Sequence, residues 1–313
     1  MKEFEGIIGH ENHVRYLQNL TQKEVVPHAF LFVGSRGVGK TTLVQAFINS
    51  LISGKGSVDL ESQTSKNFFD IAYVDLAEDK KEISVTQIRE LLEKLTLTSA
   101  QGGHKFAVVM NAQALNASAS NALLKFLEEP PAHTHLLLLA TSKDHMLPTI
   151  ISRCVTLTLL PVARNVLEEQ LRTRFPESAP QTITQCVLLA QGLPGNAISY
   201  LRDPSRVSEI EVLARDLTRA LLGAAHEQSA YIASIIDESS WTHVATLVAL
   251  DLLAYASHAR ENLLLPNLGD MYEKITSQRK NIAVWCQGVI EYDKIHAYSG
   301  NKQLFLENLF FNL

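Results

Sequence analysis

Ala29-Phe30-Leu31-Phe32-Val33-Gly34-Ser35-Arg36-Gly37-Val38-Gly39-Lys40-Thr41-Thr42 is the stretch that decides the fold. Five apolar residues run to a glycine and stop, as a strand buried on both faces of a parallel sheet does. Gly34 to Thr41 then satisfies G-x-x-x-x-G-K-S/T, the phosphate-binding loop, and it sits between a strand and a helix, where its mechanism requires it. Glycines let successive backbone N–H groups turn inward around phosphate oxygens. The helix that follows presents its positive end to the anion. Lys40 is expected to reach the outer phosphates and Thr41 to offer its hydroxyl to Mg²⁺. The expected nucleotide-contacting set is Gly34, Ser35, Arg36, Gly37, Val38, Gly39, Lys40, Thr41 and Thr42. The alternative is a loop that keeps its shape without a working ligand site.

Outward from this loop the same alternation continues. Apolar strands are expected at Ile71 to Val74, Phe106 to Met110, Leu136 to Ala140 and Val155 to Leu159. Helices are expected at Glu11 to Leu20, Thr42 to Leu51, Ser84 to Leu95 and Ser118 to Leu127. Ser84 and Gln87 have the spacing of a capping box, and Pro130-Pro131 stops the helix before it. Ser53 to Asn67 is polar and predicts a loop. Five strands alternating with helices imply an α/β class, with a five-stranded parallel sheet and helices on both faces. Beyond Pro161 the pattern is helical: Val166 to Arg174, Thr182 to Gln191, Gly195 to Leu201, Glu211 to Leu222, Trp241 to Leu263, Ile282 to Tyr292 and Gln303 to Phe311. Asp203-Pro204 suggests a linker.

Bulk composition narrows the function classes. The 313 residues are 46% hydrophobic and 19% charged, enough to bury two or three domain cores. Net charge is -5, from 28 basic and 33 acidic residues, which argues against a protein that grips nucleic acid unaided. Cys154, Cys186 and Cys286 are far apart and suit free thiols in a reducing compartment. Met1-Lys2-Glu3-Phe4-Glu5 has no apolar core of a signal peptide, and the run Leu136 to Ala140 is too short to span a bilayer. A soluble cytoplasmic protein is expected.

Four further stretches carry a resemblance. Asn121-Ala122-Leu123-Leu124-Lys125-Phe126-Leu127-Glu128-Glu129-Pro130-Pro131 is nearly a signature of bacterial clamp-loader AAA+ subunits. Leu147-Pro148-Thr149-Ile150-Ile151-Ser152-Arg153-Cys154 is another, and Gln87-Ile88-Arg89-Glu90-Leu91 followed by Gly102-Gly103-His104-Lys105 fits too. Over about residues 5 to 202 the chain resembles the DNA polymerase III clamp-loader family, and within it the delta-prime type most. The resemblance implies an AAA+ P-loop core at 1–161, a small helical lid at 162–204 and an all-α collar for oligomerisation at 205–313. It implies a role in ATP-dependent loading of the sliding clamp onto primed DNA. The implied partners are gamma/tau-type motor subunits, the delta subunit, the clamp and primer-template DNA. ATP or ADP, with or without Mg²⁺, is the implied ligand.

The resemblance also says where hydrolysis chemistry should sit. In the AAA+ arrangement the strand after the P-loop helix lies at the sheet edge, and the next strand carries the metal-binding acid. Asp75 would then be remote from the phosphates, while Met110 and Asn111 occupy the acid positions. Methionine cannot hold hydrated Mg²⁺, and a neutral amide is a poor base. Asn196, in Gly192-Leu193-Pro194-Gly195-Asn196-Ala197, stands where motor subunits place a phosphate-sensing arginine. No intrinsic ATPase turnover is expected. By resemblance Arg153 is an arginine finger acting in trans on a neighbouring motor subunit, which suits a permanently charged, forked side chain. The Cys-rich zinc module of many relatives is missing from Ser53 to Asn67, so no zinc is expected. Thr141 could act as a polar sensor or cap the following turn.

Other residues invite less. His133 and His135 suit a strand entrance, and His10 and His13 an exposed helix start. Lys105, Lys125 and Arg89 suit solvated charges, with DNA contact as the alternative. Leu304 to Phe311 suits core packing or burial in a subunit collar. Two rival functions remain. One is an active AAA+ ATPase, either a gamma/tau-type subunit or a branch-migration motor. The other is a stand-alone nucleotide-responsive binding module.

Overall fold

A computed structural model describes residues 2–23, 25–52, 57–60, 64–66, 70–77, 80–96, 103–144, 146–224, 227–228, 231, 241–257, 263–278 and 282–295. The chain divides into two compact units, Met1–Arg174 with Gln191–Asn196, and Phe175–Ala190 with Ala197–Leu313.

The first unit is built on a five-stranded sheet. In chain order its described elements are α1 (Glu11–Lys23), β1 (Ala29–Val33), α2 (Lys40–Leu51), β2 (Ser57–Asp59), β3 (Thr64–Lys66), β4 (Ile71–Val74) and α3 (Val85–Thr96). They continue as β5 (Lys105–Val109), α4 (Ala117–Glu128), β6 (Thr134–Ala140), α5 (Pro148–Ile151), β7 (Val155–Thr158) and α6 (Arg164–Arg174). The sheet order is β4-β5-β6-β1-β7, with every pairing parallel. Register places Leu31 opposite Leu138 and Phe32 opposite Leu157. Side chains alternate across the pleat. Phe30 and Phe32 therefore pack with Leu17, Leu43 and Phe47 on one face, while Leu31 packs with Ile88 and Leu123 on the other. Both faces are covered, which is why β1 is apolar end to end and β5 and β6 are apolar beyond their first residues, Lys105 in β5 and Thr134-His135 in β6.

Local signals account for the element starts. Ser84 and Gln87 form the expected capping box: Ser84 N–H donates to Gln87 Oε1 at 3.0 Å, and Gln87 N–H to Ser84 Oγ at 3.4 Å. Asn116 caps α4 by accepting from Ala119 N–H at 2.9 Å.

The polar stretch read as a loop contains a small antiparallel pair, β2 with β3. It has three residues per strand and sits apart from the main sheet, so it leaves no apolar run to read. Its anchor is Leu60, buried, with its N–H donating to Gln45 Oε1 at 3.1 Å.

The second unit is helical among its described residues. It contains α7 (Pro180–Ala190), most of α8 (Pro194–Arg202), α9 (Ser205–Leu222), α10 (Trp241–Ala256), α11 (Gly269–Gln278) and α12 (Ile282–Ile295). Leu217, Leu221, Val248, Tyr272, Ile275 and Trp285 are buried in it. Asp203-Pro204 is a tight helix-to-helix junction rather than a linker: Asp203 Oδ1 accepts from Ser205 N–H at 3.2 Å and starts α9. Helix α11 lies within the region expected to be helical but is not among the pieces singled out from sequence; its apolar positions are interrupted by Gly269, Asp270 and Glu273. Residues 303–311, read as a terminal helix with its Leu/Phe cluster, lie outside the described residues.

Candidate functional site

The loop Gly34 to Gly39 joins the C-terminal end of β1 to α2. Its entry is fixed by Gly34 N–H donating to Ala140 O at 3.1 Å, so it opens beside the end of β6. A Cβ at Gly34 would stand 2.5 Å from Leu159 O, and one at Gly37 would stand 2.6 Å from Asn196 Oδ1. Gly37 also has φ +82, a region L side chains rarely adopt. Gly34 is therefore required by its close approach to backbone, and Gly37 by its backbone conformation. Gly39, with φ +107, would have nothing within 4 Å of a Cβ, which leaves a cradle open in front of α2.

Lys40 is the first residue of α2 and folds back over this cradle. Its Nζ donates to Gly34 O and, at 3.0 Å, to Ser35 O. Burial, and then the like charge of Arg36, lower its pKa to about 8. Two carbonyls satisfy the ammonium where an anion would do so better. The residues fit a phosphate group: an open cradle, a helix N-terminus and a cation held at its rim. They fit a hydrated divalent cation less well, because Thr41 is the only metal-ligating group the motif offers.

The carboxylate question resolves into a chain of hydrogen bonds along the sheet's C-terminal edge. Met110 is half-buried and packs into the apolar core. Asn111, in the left-handed region at φ 53, donates from Nδ2 to Asp75 Oδ1 at 2.7 Å. Gln113 Nε2 donates to Asn111 Oδ1 at 3.3 Å, and Gln113 Oε1 accepts from Thr141 N–H at 3.2 Å. Asp75 follows the edge strand β4, with β5 and β6 between it and β1, as the expected strand order requires. It is more than a strand terminus, however, since it also accepts from Leu76 N–H at 2.7 Å. Thr141 is exposed at the end of β6 beside the loop. Gln113 was missed by sequence reasoning because a glutamine in a short turn carries no motif.

The Gly192-Leu193-Pro194-Gly195-Asn196 segment reaches the loop directly. Gly195 N–H donates to Gly37 O at 2.8 Å, and Val162 N–H donates to Gly192 O at 2.7 Å. His10 also touches the loop, through Nε2 to Val38 O at 3.0 Å. It is therefore part of the loop's support rather than a solvated residue at a helix start.

Arg153 lies on the other side of β7 in sequence, in the turn after α5. Its NH1 donates to Thr149 O at 3.0 Å and its NH2 to Glu128 Oε1 at 3.1 Å. Both side chains are partly exposed, at 38% and 56%. Next to it, burial pushes the Cys154 thiol up to about 12, which makes it an inert packing group.

Several other expectations change. Lys105 is buried, with Nζ donating to Leu95 O at 2.8 Å, so it is neither solvated nor placed to touch DNA. Lys125 and Arg89 are exposed. His133 and His135 belong to a larger group at the sheet's N-terminal end. His104 and His135 share a hydrogen bond of 2.8 Å, and His135 Nδ1 donates to Pro27 O at 2.9 Å. Among the described residues no His, Cys, Asp and Glu side chains gather into a group able to hold a metal. No described helix is long and apolar enough to cross a membrane.

A family model described as "DNA polymerase III, delta subunit" matches residues 9–163. The chain is 32% identical over 179 residues to DNA polymerase III subunit delta' of Pseudomonas aeruginosa, covering 53% of each protein. It is 33% identical over 162 residues to subunit tau of Bacillus subtilis, covering 49% of this chain and 28% of that protein. The chain thus spans about half of one relative's length and less than a third of the other's. A solved structure of a Thermotoga maritima RuvB variant shares the fold, with TM-score 0.50 and 15% identity over 89% of this chain and 90% of that one.

Proposed function

Because residues 9–163 belong to the clamp-loader family of DNA polymerase III AAA+ subunits, we propose that this chain works as a delta-prime-type subunit of the clamp loader. In this reading it supports ATP-dependent loading of the sliding clamp onto primed DNA, in the cytoplasm, within a complex of gamma/tau-type motor subunits and a delta subunit. Its loop binds ATP or ADP without turning it over. Residues 1–161 act as the nucleotide-binding core, 162–204 as the lid and 205–313 as the collar.

The observation that carries this reading is a mismatch within one chain. The nucleotide loop is formed, yet the positions that should supply acids hold Met110 and Asn111, and Asn196 stands against Gly37 where an arginine would be expected. Phosphoryl transfer depends on charge placed around the phosphate. At the same time Arg153 is held at the surface with two of its five N–H donors engaged among the described residues. A chain with a poor site of its own and an available guanidinium is built to serve a neighbour's site.

The tau relatives match as well as the delta' relatives do, at 28–33% identity against 31–32%, which favours a motor reading as the second choice. Nucleotide turnover by the purified chain separates the two. The proposal expects binding with no turnover above background. A rate comparable to that of a motor subunit would replace it with the motor reading.

A further inference from the structure

We infer that Glu128 is a positioning residue that aims Arg153 at the phosphate of the adjacent subunit. The inference rests on the trans-finger reading above and adds to it the group that holds the finger.

Glu128 is the last residue of α4 and Arg153 follows the short α5, so the pair joins two sequence motifs that are 25 residues apart. The setting is unfavourable for an acid by itself. A helix C-terminus carries partial negative charge and prefers a cation. Glu128 places a carboxylate there, followed by a second acid, Glu129. The guanidinium answers both helix ends: NH2 meets the Glu128 carboxylate at the end of α4, and NH1 meets Thr149 O in α5. These two fixed acceptors set the plane of the fork. Three of its N–H donors, on Nε, NH1 and NH2, have no partner among the described residues and can meet a second anion.

The pair is a poor stabilising device, since partly exposed ion pairs add little to folding. Its effect is conformational. An unrestrained arginine spreads over many rotamers and must be ordered when the phosphate arrives, whereas one held at two points has already lost that freedom. Small misplacements of a catalytic group are costly in rate. Pro130 and Pro131 follow Glu129 and restrict the chain direction after α4.

The test uses the assembled complex of motor subunits and this chain, with ATP, clamp and primed DNA, and compares wild type, Glu128→Ala, Glu128→Gln, Arg153→Ala and the double variant Glu128→Ala/Arg153→Ala. Glu128→Ala is expected to lower the stimulated kcat by about tenfold with the KM for ATP unchanged. Glu128→Gln, which keeps an acceptor oxygen in place, is expected to retain at least half of the rate. The double variant is expected to match Arg153→Ala. If Arg153→Ala lowers the rate while Glu128→Ala does not, the positioning role is overturned and the finger stands. If Arg153→Ala has no effect, the finger reading itself fails. A Glu128→Gln rate as low as that of Glu128→Ala, or a double variant slower than Arg153→Ala, also overturns the inference.

Discussion

The Arg153 guanidinium and the Glu128 carboxylate meet at 3.1 Å, and the same guanidinium reaches Thr149 O at 3.0 Å. Because both side chains are partly exposed, breaking the pair should change folding stability by less than about 1 kcal/mol. Thermal or urea unfolding of Glu128→Ala and Arg153→Ala checks this. A loss of several kcal/mol would mean that the pair is structural.

Lys40 predicts how nucleotide binding responds to pH. Its pKa is lowered to about 8 by burial and then by Arg36, so the ammonium is charged below that value and discharges above it. Affinity for ATP should fall as pH rises from 7 through 8 toward 9. Lys40→Ala should weaken binding by roughly tenfold to a hundredfold, the range for a lost charge-assisted hydrogen bond, and abolish the pH slope. Titrations of both proteins at pH 7 and pH 9 measure this.

The Asp75–Asn111–Gln113 chain predicts weak dependence on Mg²⁺. The carboxylate of that chain, Asp75, accepts from Asn111 Nδ2 and Leu76 N–H and follows the edge strand, with two strands between it and β1. Replacing Mg²⁺ by EDTA should change ATP affinity by less than about threefold, and Met110→Asp should enlarge that difference by restoring an acid. An unmodified chain that binds ATP only with Mg²⁺ would contradict the account.

His135 predicts acid sensitivity of the first unit. Burial is the main reason its pKa falls from 6.5 to about 4; the neighbouring His104, His133 and His28 lower it further, while its hydrogen bond to Pro27 opposes them. The folded state resists the proton that the unfolded chain accepts near 6.5. Stability should therefore be full above 6.5 and decline as pH falls toward 4, by on the order of 3 kcal/mol. Unfolding midpoints at pH 7 and pH 5 for wild type and His135→Phe test it; an equal acid loss in the variant would place the sensitivity elsewhere.

What the sequence discloses depends on how local the determining physics is. The run Ala29 to Val33, the loop after it and the Ser84–Gln87 capping box are short-range statements, and the structure reproduces them. The edge position of Asp75 followed from strand order. Its partner Asn111 did not, because that contact joins residues 36 positions apart in sequence. The histidine group and the burial of Lys105 escaped notice for the same reason: each side chain looks polar and ordinary until the sheet brings its neighbours together. The β2–β3 pair was missed because three-residue polar strands carry no periodic signal. Glu128 was visible only as part of a motif; its role depends on where Arg153 lies.

The most direct test of the central claim is the ATPase rate of motor subunits with clamp and primed DNA, measured with this chain and with its Arg153→Ala variant. The account predicts that the wild-type chain stimulates turnover and that the variant assembles normally but stimulates at least about tenfold less, given that trans arginines contribute about 10³–10⁵ in well-studied phosphoryl-transfer systems. Equal stimulation by the two proteins would contradict it.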